Sequence, residues 1–317
     1  MFSIDDLQAA HRQVLAAFPV TPQRRWPLLE QRTGAQVWVK HENHAPTGAF
    51  KVRGGLIHLE RLAREGLAPG GLISATRGNH GQSLAYAGLR FGIPVTVVVP
   101  RGNSAEKNAA MIGFGATLIE HGEDFDDARV EAARLAREQG LYYAPSFHTD
   151  LVLGVATWAL ELFTEAPDLD ALYVPIGLGS SICGAIRVRD LLGLKTKIIG
   201  VQSAAVPTYA RSLELGRPVE LNSADTLADG LAVRVPDADA FAIIQAGVER
   251  VVTVDDAQIA AAIRAYWTDA HNLAEGAGAS PLAALIAERD AMAGRRVGLV
   301  LSGGNIDLDL FRRWVLA

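Results

Sequence analysis

The chain has 317 residues, 49% of them hydrophobic, enough to bury a sizeable core and to divide into two domains. Its net charge of −5 arises from acids and bases mixed along the chain, which excludes both a basic nucleic-acid-binding block and a disordered acidic tail. A lone cysteine, Cys183, excludes an intrachain disulfide framework and fits a reducing compartment.

The N-terminal Met1-Phe2-Ser3-Ile4-Asp5-Asp6 carries acid where a signal peptide has a basic region, and no apolar run is long enough to span a bilayer. A cytoplasmic protein with neither a membrane nor a nucleic-acid partner is predicted. Short Val- and Ile-rich runs then alternate with Ala-rich amphipathic stretches, without internal repeats. The first candidate strand is Gln36–Val39. It is followed by Pro46-Thr47-Gly48-Ala49-Phe50-Lys51-Val52-Arg53-Gly54-Gly55, which sets Lys51 between small residues and a glycine pair. An amine in such a setting suits imine formation with an aldehyde cofactor, although most lysines are solvated surface charges.

Strand Gly71–Ala75 runs into Ser74-Ala75-Thr76-Arg77-Gly78-Asn79-His80-Gly81-Gln82 and then helix Gly81–Phe91. Such a turn presents backbone N–H groups to an anion, and Asn79 adds an amide donor; an ordinary N-capped turn reads the same way. Strands Val95–Val99 and Thr117–Glu120 and helices Phe125–Gln139 and Val152–Phe163 come next. Strand Ala171–Pro175 leads into Val174-Pro175-Ile176-Gly177-Leu178-Gly179-Ser180-Ser181-Ile182-Cys183-Gly184, a glycine turn opening a helix. Glycines admit a phosphate close to the backbone, and the helix N-terminus favours its charge. A dinucleotide fingerprint needs glycine where Ile182 stands, so a single-phosphate cradle fits better. Cys183 reads as a small buried apolar residue. Strands Lys197–Val201, Val251–Val254 and Val297–Leu301, with helices Ala257–Trp267 and Pro281–Ala293, complete the pattern. After the last strand, Ser302-Gly303-Gly304-Asn305 is ordinary turn chemistry in which Ser302 can also bond a ring nitrogen.

Strand–helix alternation with wholly apolar strands predicts an α/β fold with largely parallel, doubly covered sheets. Residues 47–146 read as a compact smaller domain, and residues 1–46 with 147–317 as a larger one.

Taken together, these segments resemble the fold type II pyridoxal phosphate enzymes, the tryptophan synthase β-like family. The threonine/serine dehydratase and serine racemase branch carries Ser-Phe-Lys-x-Arg-Gly, matched by Ala49 to Gly54, and Ser-x-Gly-Asn-His, matched by Thr76 to His80. Its glycine-rich loop matches Gly177 to Ser181, and its Ser-Gly-Gly-Asn matches Ser302 to Asn305. Thr226 to Gly230 and Glu275 to Ala279 are similar as well, so the resemblance covers nearly the whole chain in order. It implies two open twisted α/β domains with the cofactor in the cleft between them, the larger holding the cofactor, in a homodimer. It further implies that Lys51 holds pyridoxal phosphate and acts as base, with Phe50 beside the ring and Asn79 on the phenolic oxygen. Gly177, Leu178, Gly179, Ser180 and Ser181 are implied on the phosphate, Ser302 on the ring nitrogen, and Thr76, Gly78, Asn79 and His80 on the substrate carboxylate, with Arg77 beside them as a candidate substrate contact.

The activity implied is β-elimination of water from a 3-hydroxy amino acid, by default L-threonine or L-serine, giving a 2-oxo acid and ammonia. A neutral serine at the ring nitrogen makes a weaker electron sink than a carboxylate would, which suits quick successive loss of the α-proton and the β-hydroxyl. Several positions depart from the branch. Ala49 replaces a serine. Arg77 replaces a small residue, and its planar fork suits a second carboxylate, as on 3-hydroxyaspartate. Gln202 and Thr208 stand where relatives carry anionic ligands for a divalent ion, so no metal is expected there. Gly154-Val155-Ala156-Thr157 replaces Gly-Gln-Gly-Thr, and His41 and His44 read as structural. The regulatory C-terminal domain of biosynthetic threonine dehydratases is not expected. Alternatives are another 3-hydroxy amino acid such as phenylserine, β-replacement, racemisation, and a cofactor-binding protein without catalysis.

Overall fold

Local signals set the element ends. The helix Phe125–Gln139 begins where Asp124 Oδ1 accepts the backbone N–H groups of Asp126 and Asp127, and ends on Gly140 at φ 65°. The strands Val95–Val99 and Ala171–Pro175 are almost wholly buried, as expected of parallel strands covered on both faces.

A computed structural model describes residues 1–223 and 225–316. In chain order its elements are α1 (Ile4–Leu15), β1 (Gln23–Arg25), α2 (Pro27–Thr33), β2 (Gln36–His41), α3 (Lys51–Glu65), β3 (Leu72–Ala75), α4 (Asn79–Phe91), β4 (Val95–Val99), α5 (Ala105–Gly113), β5 (Thr117–Glu120), α6 (Phe125–Gln139) and β6 (Tyr142–Tyr143). There follow α7 (Thr149–Glu165), β7 (Ala171–Pro175), α8 (Ser180–Leu191), β8 (Lys197–Ser203), α9 (Thr208–Leu215), α10 (Ala238–Gly247), β9 (Arg250–Val254), α11 (Asp256–Ala270), α12 (Gly276–Ala287), α13 (Arg289–Met292), β10 (Arg296–Leu301) and α14 (Leu308–Val315). Among the described residues no helix is long and apolar enough to cross a membrane.

The chain divides into two compact units, Met1–Pro19 with Ala49–Val155 and Val20–Gly48 with Ala156–Ala317. The junction at Pro19/Val20 has no counterpart in the sequence reading, which groups residues 1–46 together. Its physical basis is α1, which packs on α3 and buries Leu7, Ala10 and Val14.

The first unit holds a four-stranded parallel sheet in the order β5-β4-β3-β6. Ala128, Ala132, Leu135 and Ala136 of α6 pack on Ile73, Ala75 and Val98. Two glycines let α3 pack closely against its neighbours. A methyl at Gly55 would overlap Ser83 Oγ and come within 2.8 Å of the Ser83 carbonyl oxygen, and one at Gly54 would come within 2.8 Å of the Leu151 carbonyl oxygen. The second unit holds a six-stranded sheet in the order β1-β2-β10-β7-β8-β9, parallel except for β1 on β2. Its core joins Tyr173, Ile199, Val201, Tyr266, Leu282, Leu285 and Leu299.

Candidate active site

Lys51 is the first residue of α3, directly after Phe50, and its Nζ lies 5.3 Å from the Phe50 ring centroid. The side chain is partly reachable by solvent, yet its amine sits among protein atoms. Burial pulls its pKa from 10.5 down to about 8, bringing a neutral amine within reach of ordinary pH. Ser83 Oγ donates to the Lys51 carbonyl oxygen at 2.6 Å, tying the start of α3 to α4.

The turn between β3 and α4 carries Thr76 to His80. Thr76 is buried, and its Oγ1 accepts the backbone N–H groups of Gly78 at 3.1 Å and Gly81 at 3.0 Å. The hydroxyl therefore braces the turn and keeps its own hydrogen to give. Gly78 caps α4 without a side chain, and with Thr76 on the Gly81 N–H the positive end of the helix still favours an anion. Arg77 is exposed. The His80 imidazole is pushed down to about 3, first by burial and then by the charges of Lys51 and His58. Its Nε2 is buried without a hydrogen-bond partner among the described residues.

The second unit carries the remaining segments. β10 and β7 are parallel neighbours, with Leu299 opposite Tyr173, so the loops after Pro175 and Leu301 leave the same edge of the sheet. Gly177–Ser181 and Ser302 therefore start from adjacent strand ends, and Ser302 is buried. The glycines are required there. A methyl on Gly177 would overlap the Gly230 carbonyl oxygen, and Gly179 adopts φ 118° at the N-cap of α8. Gly179, the N-cap of α8, has no side chain to cap it. Ser181 Oγ is buried without a hydrogen-bond partner among the described residues. A phosphate fits this end of α8: it would satisfy the first-turn N–H groups and the Ser181 hydroxyl together.

Several supporting residues are invisible to motif reading. Tyr209 OH donates to the Leu178 carbonyl at 2.7 Å and accepts the Asp237 N–H at 3.2 Å, bracing the glycine loop from α9. Their sequence separation hides the link. His58 lies two turns after Lys51 on the same face of α3, a spacing that the sequence does display. Asn305 Nδ2 donates to the Thr47 carbonyl at 2.8 Å, and Gly304 N–H to the Gly48 carbonyl at 2.9 Å, fixing the segment before Ala49.

Other sequence expectations can be placed as well. Cys183 is fully buried, with its thiol pushed up chiefly by desolvation. Gln202 Oε1 accepts the Ala210 N–H at 3.0 Å, and the Thr208 hydroxyl donates to the Val233 carbonyl. Both are engaged in holding α9. His41 Nε2 accepts from Trp26 Nε1 at 3.0 Å, and its ring lies 5.5 Å from that of His44. Among the described residues His58, His148 and Asp150 form a metal-capable group, their ligand atoms within 4.8 Å of one another. Arg61 Nε already donates to Asp150 Oδ2 at 2.6 Å, so a divalent ion would meet a fixed positive charge.

A desolvated lysine at one helix start and a glycine turn at another are each features that enzymes using a phosphorylated aldehyde carry. The chain belongs to the pyridoxal-phosphate dependent enzyme family, whose pattern matches residues 14–303. It is 34% identical to the L-threonine ammonia-lyase of Thermotoga maritima over 99% of this chain and 78% of that one. It is 32% identical to the L-threo-3-hydroxyaspartate ammonia-lyase of Saccharomyces cerevisiae, over 96% of this chain and 93% of the other. Among solved structures, maize serine racemase superposes with a TM-score of 0.91 at 26% identity, covering 98% of this chain and 96% of its own.

Proposed function

We infer that the protein is a 3-hydroxy amino acid ammonia-lyase that eliminates water from L-threonine or L-serine to give a 2-oxo acid and ammonia. The observation that carries this reading is Lys51, an amine at a helix start whose burial holds its pKa at about 8. Its similarity to the Thermotoga maritima enzyme supports the substrate class. When bound, pyridoxal phosphate supplies the electron sink that acidifies the α-proton of a linked amino acid.

The chain's own residues do the rest. Lys51 would hold the cofactor through its amine at rest and, once released by the substrate amine, would receive the α-proton at Nζ, with Phe50 packed beside the ring. The α8 N-terminus, through Gly177, Leu178, Gly179, Ser180 and Ser181, holds the phosphate with backbone N–H groups and the Ser181 hydroxyl. Ser302 gives or accepts one hydrogen bond at the ring nitrogen without placing a charge there. Asn79 donates to the phenolic oxygen. The α4 N-terminus, with Thr76, Gly78, Asn79 and His80, binds the substrate carboxylate. The working form in this reading is a cytoplasmic homodimer, which the single buried cysteine suits.

A second substrate, 3-hydroxyaspartate, is favoured by one specific feature. Arg77 is a guanidinium in the carboxylate-binding turn, and a relative named for that substrate matches nearly end to end. The test is 2-oxo acid release from L-threonine, L-serine, phenylserine and 3-hydroxyaspartate by the cofactor-loaded protein. Release from a 3-hydroxy amino acid that Lys51→Ala abolishes is expected. Loss of only the 3-hydroxyaspartate reaction in Arg77→Ala would assign Arg77 to the second carboxylate. No release from any of the four would overturn the lyase reading.

A further inference from the structure

The turn between β3 and α4 has a charged neighbour that the proposed reaction does not use. Within the first unit, α5 buries two of its residues, Lys107 and Met111, which stand one turn apart on one face. Met111 shows where that face points. A methyl on Gly81, in the first turn of α4, would overlap Met111 Sδ and come within 2.5 Å of Thr76 Cγ2. The buried face of α5 therefore packs on the turn and the start of α4.

Lys107 meets the turn directly. Its Cδ and Cε lie 2.7 and 3.5 Å from the place that a β-carbon on Gly78 would take. Glycine at that position leaves room for the lysine stem to lie against the backbone of the turn. Ser104 Oγ, at the N-cap of α5, accepts the Lys107 N–H at 3.0 Å and fixes the part of the helix from which the stem departs. A lysine ordinarily runs its stem along apolar surface and leaves the ammonium in water. Lys107 is only 8% exposed, so its ammonium, one bond beyond Cε, stays close to the turn. Lysines are seldom buried that far unless their charge is matched.

The other basic side chains of the turn do not supply an inward charge. Arg77 is exposed. His80 is held neutral, its pKa pushed down to about 3 first by burial. Thr76, Gly78 and Asn79 offer neutral donors. A substrate carboxylate seated on the turn would leave water for neutral hydrogen bonds and a helix end. Desolvating a full negative charge is unfavourable unless a full positive one stands close.

We propose that Lys107 is a specificity-determining residue, the counter-charge that α5 sets beside turn 76–80 for the α-carboxylate of the amino acid substrate. This rests on the reading of that turn as the carboxylate site, and deepens it. Arg77 is left for a second, distal carboxylate, whereas Lys107 serves the one that every α-amino acid carries. The assignment gives the site a preference for free amino acids over their amides, because a neutral carboxamide gains little from an ammonium.

The test compares an acid with its amide. L-Alanine has no β-leaving group, so L-alanine and L-alaninamide can each be titrated into the cofactor-loaded protein and followed by the cofactor's visible absorption. The parent should prefer the acid. Lys107→Met should lower that preference by about 10- to 100-fold, through weaker binding of the acid with the amide little changed. Lys107→Gln should do the same. The ratio within each variant separates charge recognition from damage to the fold, which would weaken both ligands alike. In steady state the two variants should raise KM for L-threonine by a similar factor and leave kcat little changed. Equal weakening of both ligands, an acid preference that survives both substitutions, or a loss confined to kcat overturns the assignment, and so does a parent indifferent to the two ligands. The lyase reading fails separately. A parent that prefers L-alanine to its amide, and loses that preference with Lys107, yet releases no 2-oxo acid from any 3-hydroxy amino acid, keeps the counter-charge and removes the lyase.

Discussion

Lys51 carries its charge at a cost. An ammonium removed from water gives up its proton more readily, and burial is the cause of its shift to about 8. The neutral fraction, the only form that attacks an aldehyde, therefore reaches one half near pH 8 rather than 10.5. Reductive methylation of cofactor-free protein should show Lys51 labelling with a midpoint near pH 8, well below the surface lysines. A midpoint above 10 would mean that the amine is solvated in solution. The same shift fixes a sign for stability. Between about pH 8 and 10.5 the unfolded chain binds a proton that the folded chain has released, so this group makes the protein more stable as pH rises through that window. His80 shows what a motif conceals. Thr76 to His80 was legible as an anion-binding turn, but the loss of the His80 charge comes first from burial and then from Lys51 and His58, which no local pattern connects to it.

At the scale of elements, the strands that read clearly in the sequence are those buried on both faces. β4, β7 and β10 are near-continuous apolar runs, and their boundaries follow from that. β1 and β6 did not, because strands of three and two residues carry no period. α3 was hidden differently. Its opening Lys51-Val52-Arg53-Gly54-Gly55 has poor helix propensity, and only packing against α4 and α7 explains a helix there. Those glycines are thus fitted to contacts. Gly55→Ala should lower stability by about 1–3 kcal/mol through overlap with Ser83, and should loosen the start of α3 that carries Lys51. Gly113→Ala is the control, since a methyl at that position of α5 meets nothing within 4 Å. It should be neutral or slightly stabilising. Urea unfolding of the two variants beside the parent checks both, and equal midpoints would show that the α3–α4 contact relaxes freely.

At the scale of the whole molecule, each unit keeps one buried histidine uncharged. His80 does so in the first and His41 in the second, both held at about 3 chiefly by desolvation. Trp26 Nε1 donates to His41 Nε2, a bond that needs the ring's lone pair and is lost on protonation. In the unfolded chain both rings titrate near 6.5. Below that pH the unfolded state binds protons that the folded state refuses, so stability falls as the solution is acidified from 6.5 towards 3. Each full unit of pKa difference is worth about 1.4 kcal/mol, so the two groups together remove several kcal/mol before either folded ring charges. Urea midpoints should therefore decline from about pH 6.5 downward, ahead of the range in which carboxylates protonate. His41→Gln and His80→Gln should each flatten part of that decline. Because the histidines lie in separate units, their effects should add. If the decline begins only below pH 4.5 and neither substitution changes it, both rings would have to be accessible to protons in the folded protein.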